Sequence, residues 1–423
     1  IYKKKIEKEQ LTNLFYNIEI PLIRVLKKIE KTGVYVDRKE LQQLSNKFQL
    51  KMSKLTSEIF EIAGSQFNLN STQQLSKVLF EDLGIEPIKK TKTGFSTNSA
   101  VLEELSEKHK IAKLMIEFRK LAKLESTYTI SLQSLVNEDT GRIHSSFHQA
   151  GTSTGRLSSS NPNLQNIPIR TEEGQEIRKV FRTKDDSKFI IAADYSQIEL
   201  RLMALFSRDP NMLEAYKNDQ DIHSQTASLV FDKSLDDVSR EDRSRAKVIN
   251  FGLLYGMGAR TLAKELKIKQ KEAKIFIDNY FNKFPSIKDF KEKAIADARE
   301  NGFASTLFGR KLFLPALANP SSYNNRQLSG SERVAVNMPI QGTAADLIKI
   351  AMINIDNEIS DIDGIDMLIQ VHDELVFEVE KNLSEKAEEI IRRNMEEALP
   401  EKYRKIIRLK VDIGYGKNWF EAH

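Results

Sequence analysis

The sequence predicts an α+β chain: a small sheet whose strands meet polar chain at acidic residues, with helical lobes inserted around it. Three observations carry this reading. Apolar residues recur at spacings of three and four through the first hundred-odd positions and the middle third. Apolar runs of strand length stand out at Phe189–Ala193, Met367–Val371 and Leu375–Val379. Those runs adjoin Asp194 and the tripeptide His372-Asp373-Glu374. At 423 residues, and roughly 100–200 per domain, the chain has room for about two to four packing units.

Taken in order, Leu41, Leu44, Phe48, Met52, Leu55, Ile59 and Ile62 form one apolar stripe that stops at Gly64, a long amphipathic helix. Ser71-Thr72-Gln73-Gln74 has the form of a capping box before an apolar-periodic stretch ending at Gly84. The segment Lys89–Gly94 reads as a basic loop, and Ile111, Leu114, Met115, Phe118 and Leu121 as a further helix. Lys89, Lys90, Lys92, Lys110 and Lys113 could follow phosphates or simply form a solvated face. From Gly151 to Arg170 the Ser, Asn, Gly and Pro content predicts an irregular ordered loop or linker. The Phe189–Ala193 strand is expected to end on Asp194 and lead into a helix through Ile198, Leu202 and Leu205. The last two runs read as a hairpin with the polar tip His372-Asp373-Glu374. No internal repeat or low-complexity tract is visible.

Composition narrows the function classes. Forty per cent apolar and 30% charged residues exclude a collagen-like or largely disordered chain. No apolar run approaches the roughly eighteen residues of a bilayer span, and no signal-peptide pattern opens the chain, so no membrane partner is expected. The absence of Cys excludes a disulfide framework and thiolate metal sites and favours an intracellular setting. The first residue is Ile1 rather than Met, so a missing upstream segment is expected. A net charge of +5 is compatible with a polyanionic partner.

Two patterns could carry chemistry. Asp194 and Asp373 each sit where an apolar strand meets polar chain. If their strands are neighbours, two carboxylates face one point and suit Mg²⁺, a hard cation that takes oxygen ligands and leaves positions for phosphate oxygens. Taken singly, each Asp reads more readily as the cap of a turn or a neighbouring helix. In RSRAKVINFGLLYG, Arg243, Lys247, Phe251 and Tyr255 are spaced by four, so on a helix they form one slowly winding stripe, each about 40° from the last. Cations at one end and rings at the other could hold a triphosphate and face a base or sugar, or be solvated charges on a core helix. His144 and His148 lack a third ligand and read as structural. There is no GxxxxGK[ST] loop, Gly256-Met257-Gly258 is too short for a dinucleotide fingerprint, and the serines of LSSSNPN lack a nucleophile elbow.

Together these segments resemble the polymerase domain of family A DNA polymerases, the bacterial DNA polymerase I group. The resemblance runs in order from IEIPLIRVLKKIEKTGVYVD to Trp419-x-x-x-His423. DYSQIELR, from Asp194 to Arg201, is similar to the first palm motif; Arg243–Gly256 to the nucleotide-binding fingers helix; VHDELVFEV to the second palm motif. TGRLSSSNPNLQNIP and ERVAVNMPIQGTAAD are similar to primer–template contact segments.

The resemblance implies a right-hand architecture with an antiparallel palm sheet, a helical thumb and helical fingers. Residues 1–34 would be a helix leading into the palm, 35–139 the thumb, 140–200 the first part of the palm, 201–339 the fingers and 340–423 the rest of the palm. It implies template-directed DNA synthesis, in replication or repair, by transfer of a deoxynucleotidyl group from a dNTP to a primer 3′-hydroxyl, with two Mg²⁺ ions for which Mn²⁺ can substitute. Asp194 and Asp373 would be the metal-binding aspartates, with the backbone carbonyl of Tyr195, and Glu374 would lie beside them near the primer end. Arg243, Lys247 and His223 would meet the triphosphate, Lys247 also protonating the leaving pyrophosphate. Phe251 would pack on the sugar and base, Tyr255 under the templating position, and Gln197 and Glu199 beside the nucleotide. Arg156, Gln165, Asn166, Arg333, Asn337, Gln341 and His372 would contact the primer–template duplex, Arg156 and Gln341 through minor-groove acceptors common to every base pair.

Family members often carry nuclease domains upstream, and this chain begins about where those would end, so proofreading is not expected in it. A monomer in the bacterial nucleoid or an organellar matrix is expected. Rival readings are a single-subunit RNA polymerase, against which Glu199 crowding a ribose 2′-hydroxyl argues; a catalytically inactive polymerase fold, against which the retained Asp194, Asp373, Arg243 and Lys247 argue; and a two-metal nuclease, which has no use for the triphosphate stripe.

Overall fold

The structure, a computed structural model, describes residues 2–91 and 94–423. Helix α1, Arg38–Ala63, starts where the Asp37 carboxylate accepts from the Lys39 and Glu40 N–H groups and stops at Gly64, whose φ of +68° suits glycine. It buries Leu41, Leu44, Phe48, Leu55 and Ile59 against α2, Lys110–Leu124, while Met52 and Ile62 are half-buried.

Three local expectations are corrected. Ser71 does cap Thr72–Lys77 by accepting from the Gln74 N–H, but the box does not close. The Ser71 N–H is already spent on the Asn68 carbonyl, so the Gln74 side chain accepts from the Asn68 N–H instead. The basic loop at Lys89–Gly94 is a small antiparallel ribbon, Lys90–Thr91 against Gly94–Phe95; exposed lysines reported solvent, while the pairing is made by backbone. Lys92 lies outside the described residues. The stretch after Gly151 is also not wholly irregular: Ser158–Ser160 pairs antiparallel with Ser146–His148, and Leu164–Asn166 is a 3₁₀ turn. Backbone pairing, plus the Ser145 hydroxyl donating to the Pro162 carbonyl at 2.7 Å, holds a strand that side-chain propensity does not announce. His148, on the partner strand, and His144, two residues before that strand, bond to the Ser160 hydroxyl and the Glu30 carbonyl, a structural role.

The central strand β1, Lys188–Tyr195, runs one residue past Asp194. Gln197 then adopts φ +55° and α3, Ile198–Ser207, begins. Helices α4, Ile222–Phe231, and α5, Arg240–Leu254, pack on each other, α5 opening with a full capping box at Ser239 and Asp242. After α6, Asn325–Asn337, and α7, Thr343–Ile359, the chain forms the predicted hairpin, β2, Ile365–Val371, and β3, Glu374–Glu380. Its turn is two residues, His372 with φ +53° and Asp373, so Glu374 already belongs to β3. Helix α8, Ser384–Glu396, leads to β4, Val411–Gly416, which sequence reading does not foresee. The four strands form one antiparallel sheet in the order β2-β3-β1-β4. Ile190, Ile191, Ala192 and Ala193 are all buried, β1 lying between two strands and packed against α8. No helix among the described residues is long and apolar enough to cross a membrane.

Candidate active site

The sheet order decides the geometry of the acids. Because β1 lies between β3 and β4, Asp194 stands directly across from Glu374 on one side and Asp412 on the other. The Tyr195 N–H donates to the Asp373 carbonyl at 3.1 Å, which ties the hairpin turn to the end of β1. Paired residues of an antiparallel sheet present side chains to one face, so acids distant in sequence gather at one place. Burial, then the charges of Asp373 and Glu374, push the Asp194 carboxyl up to about 7. Burial likewise raises Asp373, against its own backbone hydrogen bond and the charge of Arg156. The cluster therefore has more negative charge than its protein surroundings compensate, and an all-oxygen donor set of this kind fits a hard divalent cation. Among the described residues no group of three His, Cys, Asp or Glu side chains is arranged to hold a metal ion by itself. Glu374 is engaged elsewhere: Trp419 Nε1–H donates to it at 2.9 Å, and Arg178 and His423 approach it at 3.7 and 3.4 Å.

The stripe of α5 forms as its spacing predicts, with Tyr255 at the helix cap. The Phe251 and Tyr255 rings are near-parallel, 6.5 Å between centroids. Lys247 is exposed. Arg243 makes two hydrogen bonds, 3.1 and 2.8 Å, to Asp221, the residue that caps α4. Burial works to raise Asp221, but the Arg243 bonds and the capping N–H hold it at about 2. His223, two residues on, is buried beside Phe251 with Nδ1 3.0 Å from the Asn250 side-chain amide; burial keeps it neutral, with its pKa lowered to about 4.

Stripe and carboxylates are linked through Glu199, one residue into α3. It is buried, accepts from the Tyr255 hydroxyl and pairs with Arg156. Burial raises its carboxyl, partly offset by those two partners. Gln341 approaches the same Tyr255 hydroxyl. Gln197 accepts from the Tyr216 hydroxyl at 3.2 Å.

Of the predicted duplex-contacting residues, Arg156, Gln165 and His372 line one small cavity of about 20 Å³. Gln165 donates to Gln370, and burial keeps the His372 imidazole below its ordinary pKa, as do Arg156 and Arg178. The Asn166 carbonyl accepts from Tyr128, while the Asn337 Oδ1 is buried with no hydrogen-bond partner among the described residues. Arg333 lies across Gly256, where φ is +73° and a Cβ would sit 2.7 Å from the arginine stem. Sequence reading missed Asp221, Arg178 and Asp412. Asp221 had a signal, an acid immediately before a helical pattern; Asp412 had only a weak one, an acid in a run broken by Gly414 and Gly416.

The chain is similar to known proteins over nearly its whole length. The chain is 45% identical over 411 residues to DNA polymerase I of Caldicellulosiruptor bescii, covering 97% of this chain and 47% of that protein. It is 46% identical over 417 residues to DNA polymerase I of Pseudomonas aeruginosa, covering 98% and 45%. The thermostable DNA polymerase I of Thermus aquaticus is 44% identical, with 98% and 49% covered. The chain thus spans about half the length of the curated relatives it matches. Among solved structures, the POL domain of Pol1 from M. smegmatis, in complex with DNA primer-template and dNTP, superposes with a TM-score of 0.92 at 40% identity, covering 99% of this chain and 73% of that one. That is the right-hand polymerase fold with its antiparallel palm sheet. The family described as DNA polymerase family A matches residues 38–421, and the chain belongs to it.

Proposed function

We propose that the chain catalyses template-directed DNA synthesis, transferring a deoxynucleotidyl group from a dNTP to a primer 3′-hydroxyl and releasing pyrophosphate. The observation that carries this is the convergence of Asp194 and Asp373 at the β1 end, beside an α5 stripe of two cations and two rings. Membership of DNA polymerase family A supports it, as does the primer-template and dNTP held by the M. smegmatis relative.

In this reading Asp194, Asp373 and the Tyr195 carbonyl would hold Mg²⁺, or Mn²⁺ in its place. When bound, the metal acidifies the primer hydroxyl and offsets charge on the triphosphate. The protein's own residues do the rest. Asp194 and Asp373 enter as carboxylates, so their raised affinity for protons must first be overcome. Arg243 exchanges Asp221 for phosphate oxygens, Lys247 adds a point charge and a proton for the departing pyrophosphate, and neutral His223 can donate a ring N–H without adding charge. Phe251 packs on the sugar, and Glu199, fixed by Tyr255 and Arg156, occupies the space a ribose 2′-hydroxyl would need. Gln197 lies beside the nucleotide and Tyr255 beneath the templating base. Glu374 stands by the primer end. Arg156, Gln165, Asn166, Arg333, Asn337, Gln341 and His372 take the duplex, Arg156 turning from Glu199 to the minor groove.

By the same reading 35–139 is the thumb, 201–339 the fingers, and 1–34, 140–200 and 340–423 together the palm, a monomer acting in the cytoplasm. Primer extension on a DNA template with Mg²⁺ tests the proposal. Extension is expected with deoxynucleotides, little with ribonucleotides and no primer loss with none. Equal use of ribonucleotides would favour an RNA polymerase, and primer loss without nucleotides a nuclease.

A further inference from the structure

Glu374 follows Asp373 in the chain and faces Asp194 across the sheet, yet its own side chain is 4% exposed and must find partners inside the protein. They come from distant elements. Trp419 Nε1–H donates to Oε1 at 2.9 Å, His423 Nδ1 lies 3.4 Å from the same oxygen, and the Arg178 guanidinium lies 3.7 Å from Oε2. Arg178 is also 4% exposed, lies over the Trp419 ring at 4.0 Å, and keeps Nε and one terminal nitrogen without hydrogen-bond partners among the described residues. A desolvated guanidinium with unspent donors is a fixed positive charge, and Glu374 is the carboxylate nearest to receive it. Trp419 is anchored independently. Its backbone N–H donates to the Phe181 carbonyl at 2.8 Å and its ring meets Phe181 edge-on at 5.8 Å, so its position does not depend on Glu374.

We propose that Trp419 and Arg178 are positioning residues: they hold the Glu374 carboxylate away from the aspartate pair and thereby fix the turn that presents Asp373 to Asp194. The proposal rests on the reading of Asp194 and Asp373 as the reacting pair. Without the indole donor, one oxygen of a buried carboxylate loses its partner. Glu374 then turns toward the nearest alternative, and its charge, which already bears on both aspartates, moves closer to a pair that repels.

The chain's one tryptophan is Trp419, so tryptophan emission reports on the surroundings of this side chain, the Glu374 contact among them. In the protein without DNA, titration with MgCl₂ is expected to give a saturable change in Trp419 emission, and Glu374→Gln to shift both the starting emission and the half-saturating concentration. In primer extension, Trp419→Phe keeps an aromatic ring under Arg178 and removes the donor together with some buried volume. Its kcat should fall about tenfold with the nucleotide KM within about twofold. Combining it with Glu374→Gln should give a loss no greater than Glu374→Gln alone. A Trp419→Phe kcat within twofold of the parent, or losses that multiply in the double variant, would overturn the proposal. So would a Glu374→Gln emission that tracks the parent. If thermal melts show that Trp419→Phe does not fold, the Glu374→Gln emission and rate decide. A parent that extends no primer would instead count against the proposed function, and the emission measurements would still test the contact.

Discussion

Tyr255, at the cap of α5, donates its phenolic hydrogen to the Glu199 carboxylate on α3. The pair joins the helix that carries the stripe to the helix that follows Asp194. Burial and the Glu199 charge push the Tyr255 hydroxyl up, so it remains a donor at any working pH. A ribonucleotide 2′-hydroxyl entering this place must displace a bonded pair, which costs a few kcal/mol, or roughly a hundredfold. Glu199→Ala should therefore lose most discrimination against ribonucleotides while deoxynucleotide incorporation falls less. Competition of dCTP with CTP on one template measures it, and unchanged discrimination would put the gate elsewhere.

In the proposed site Phe251 would offer the sugar no hydrogen-bonding group. If Phe251 packs on the sugar as proposed, Phe251→Tyr would place a hydroxyl where the substrate's own 3′-hydroxyl otherwise organises the site, and should raise acceptance of 2′,3′-dideoxynucleotides at least about tenfold. An unchanged ratio of dideoxy- to deoxynucleotide incorporation would mean that Phe251 does not face the sugar.

Lys247 is exposed on the stripe, one turn from Arg243. Lys247→Ala should raise the nucleotide KM and lower kcat, since it loses charge contacts in both ground and transition states. A changed duplex affinity with intact nucleotide kinetics would remove it from the nucleotide site.

Asp194 also predicts a pH dependence. Its folded pKa of about 7 lies above the ordinary 3.8, so between those values the folded protein binds more protons than the unfolded chain. This group's contribution to stability thus declines as pH rises from about 4 to about 7 and is flat above that. In EDTA, Asp194→Asn should raise Tm over the parent at pH 8, with the difference shrinking toward pH 4. The half-saturating Mg²⁺ concentration of the parent should rise as pH falls below about 7, because protons and metal compete for the same carboxylates.

How much of this was legible in the sequence depended on how locally each feature is determined. The α1 and α5 stripes, the β1 and β3 runs and the Asp373 turn follow from short-range pattern, and they appear where the pattern puts them. The helix after Asp194 also follows from its apolar spacing, and it brings Glu199 back toward Tyr255 at the end of the α5 stripe. The Ser158–Ser160 strand and the ribbon of Lys90–Thr91 with Gly94–Phe95 were misread because two or three residues held by backbone pairing are too short to show an alternating pattern. The Arg178–Trp419–Glu374 contact was invisible, since it joins three segments that only the folded sheet brings together. Asp412 was missed with the whole of β4, whose glycines disguise its alternation.

The central claim is that Asp194 and Asp373 act together at one reacting centre. Primer extension and duplex affinity, measured side by side for Asp194→Ala and Asp373→Ala, test it most directly. Each variant should lose at least about a thousandfold in rate while binding primer-template within about threefold of the parent, because phosphate contacts elsewhere supply most of the affinity. Extension near the parental rate by either variant would contradict the account.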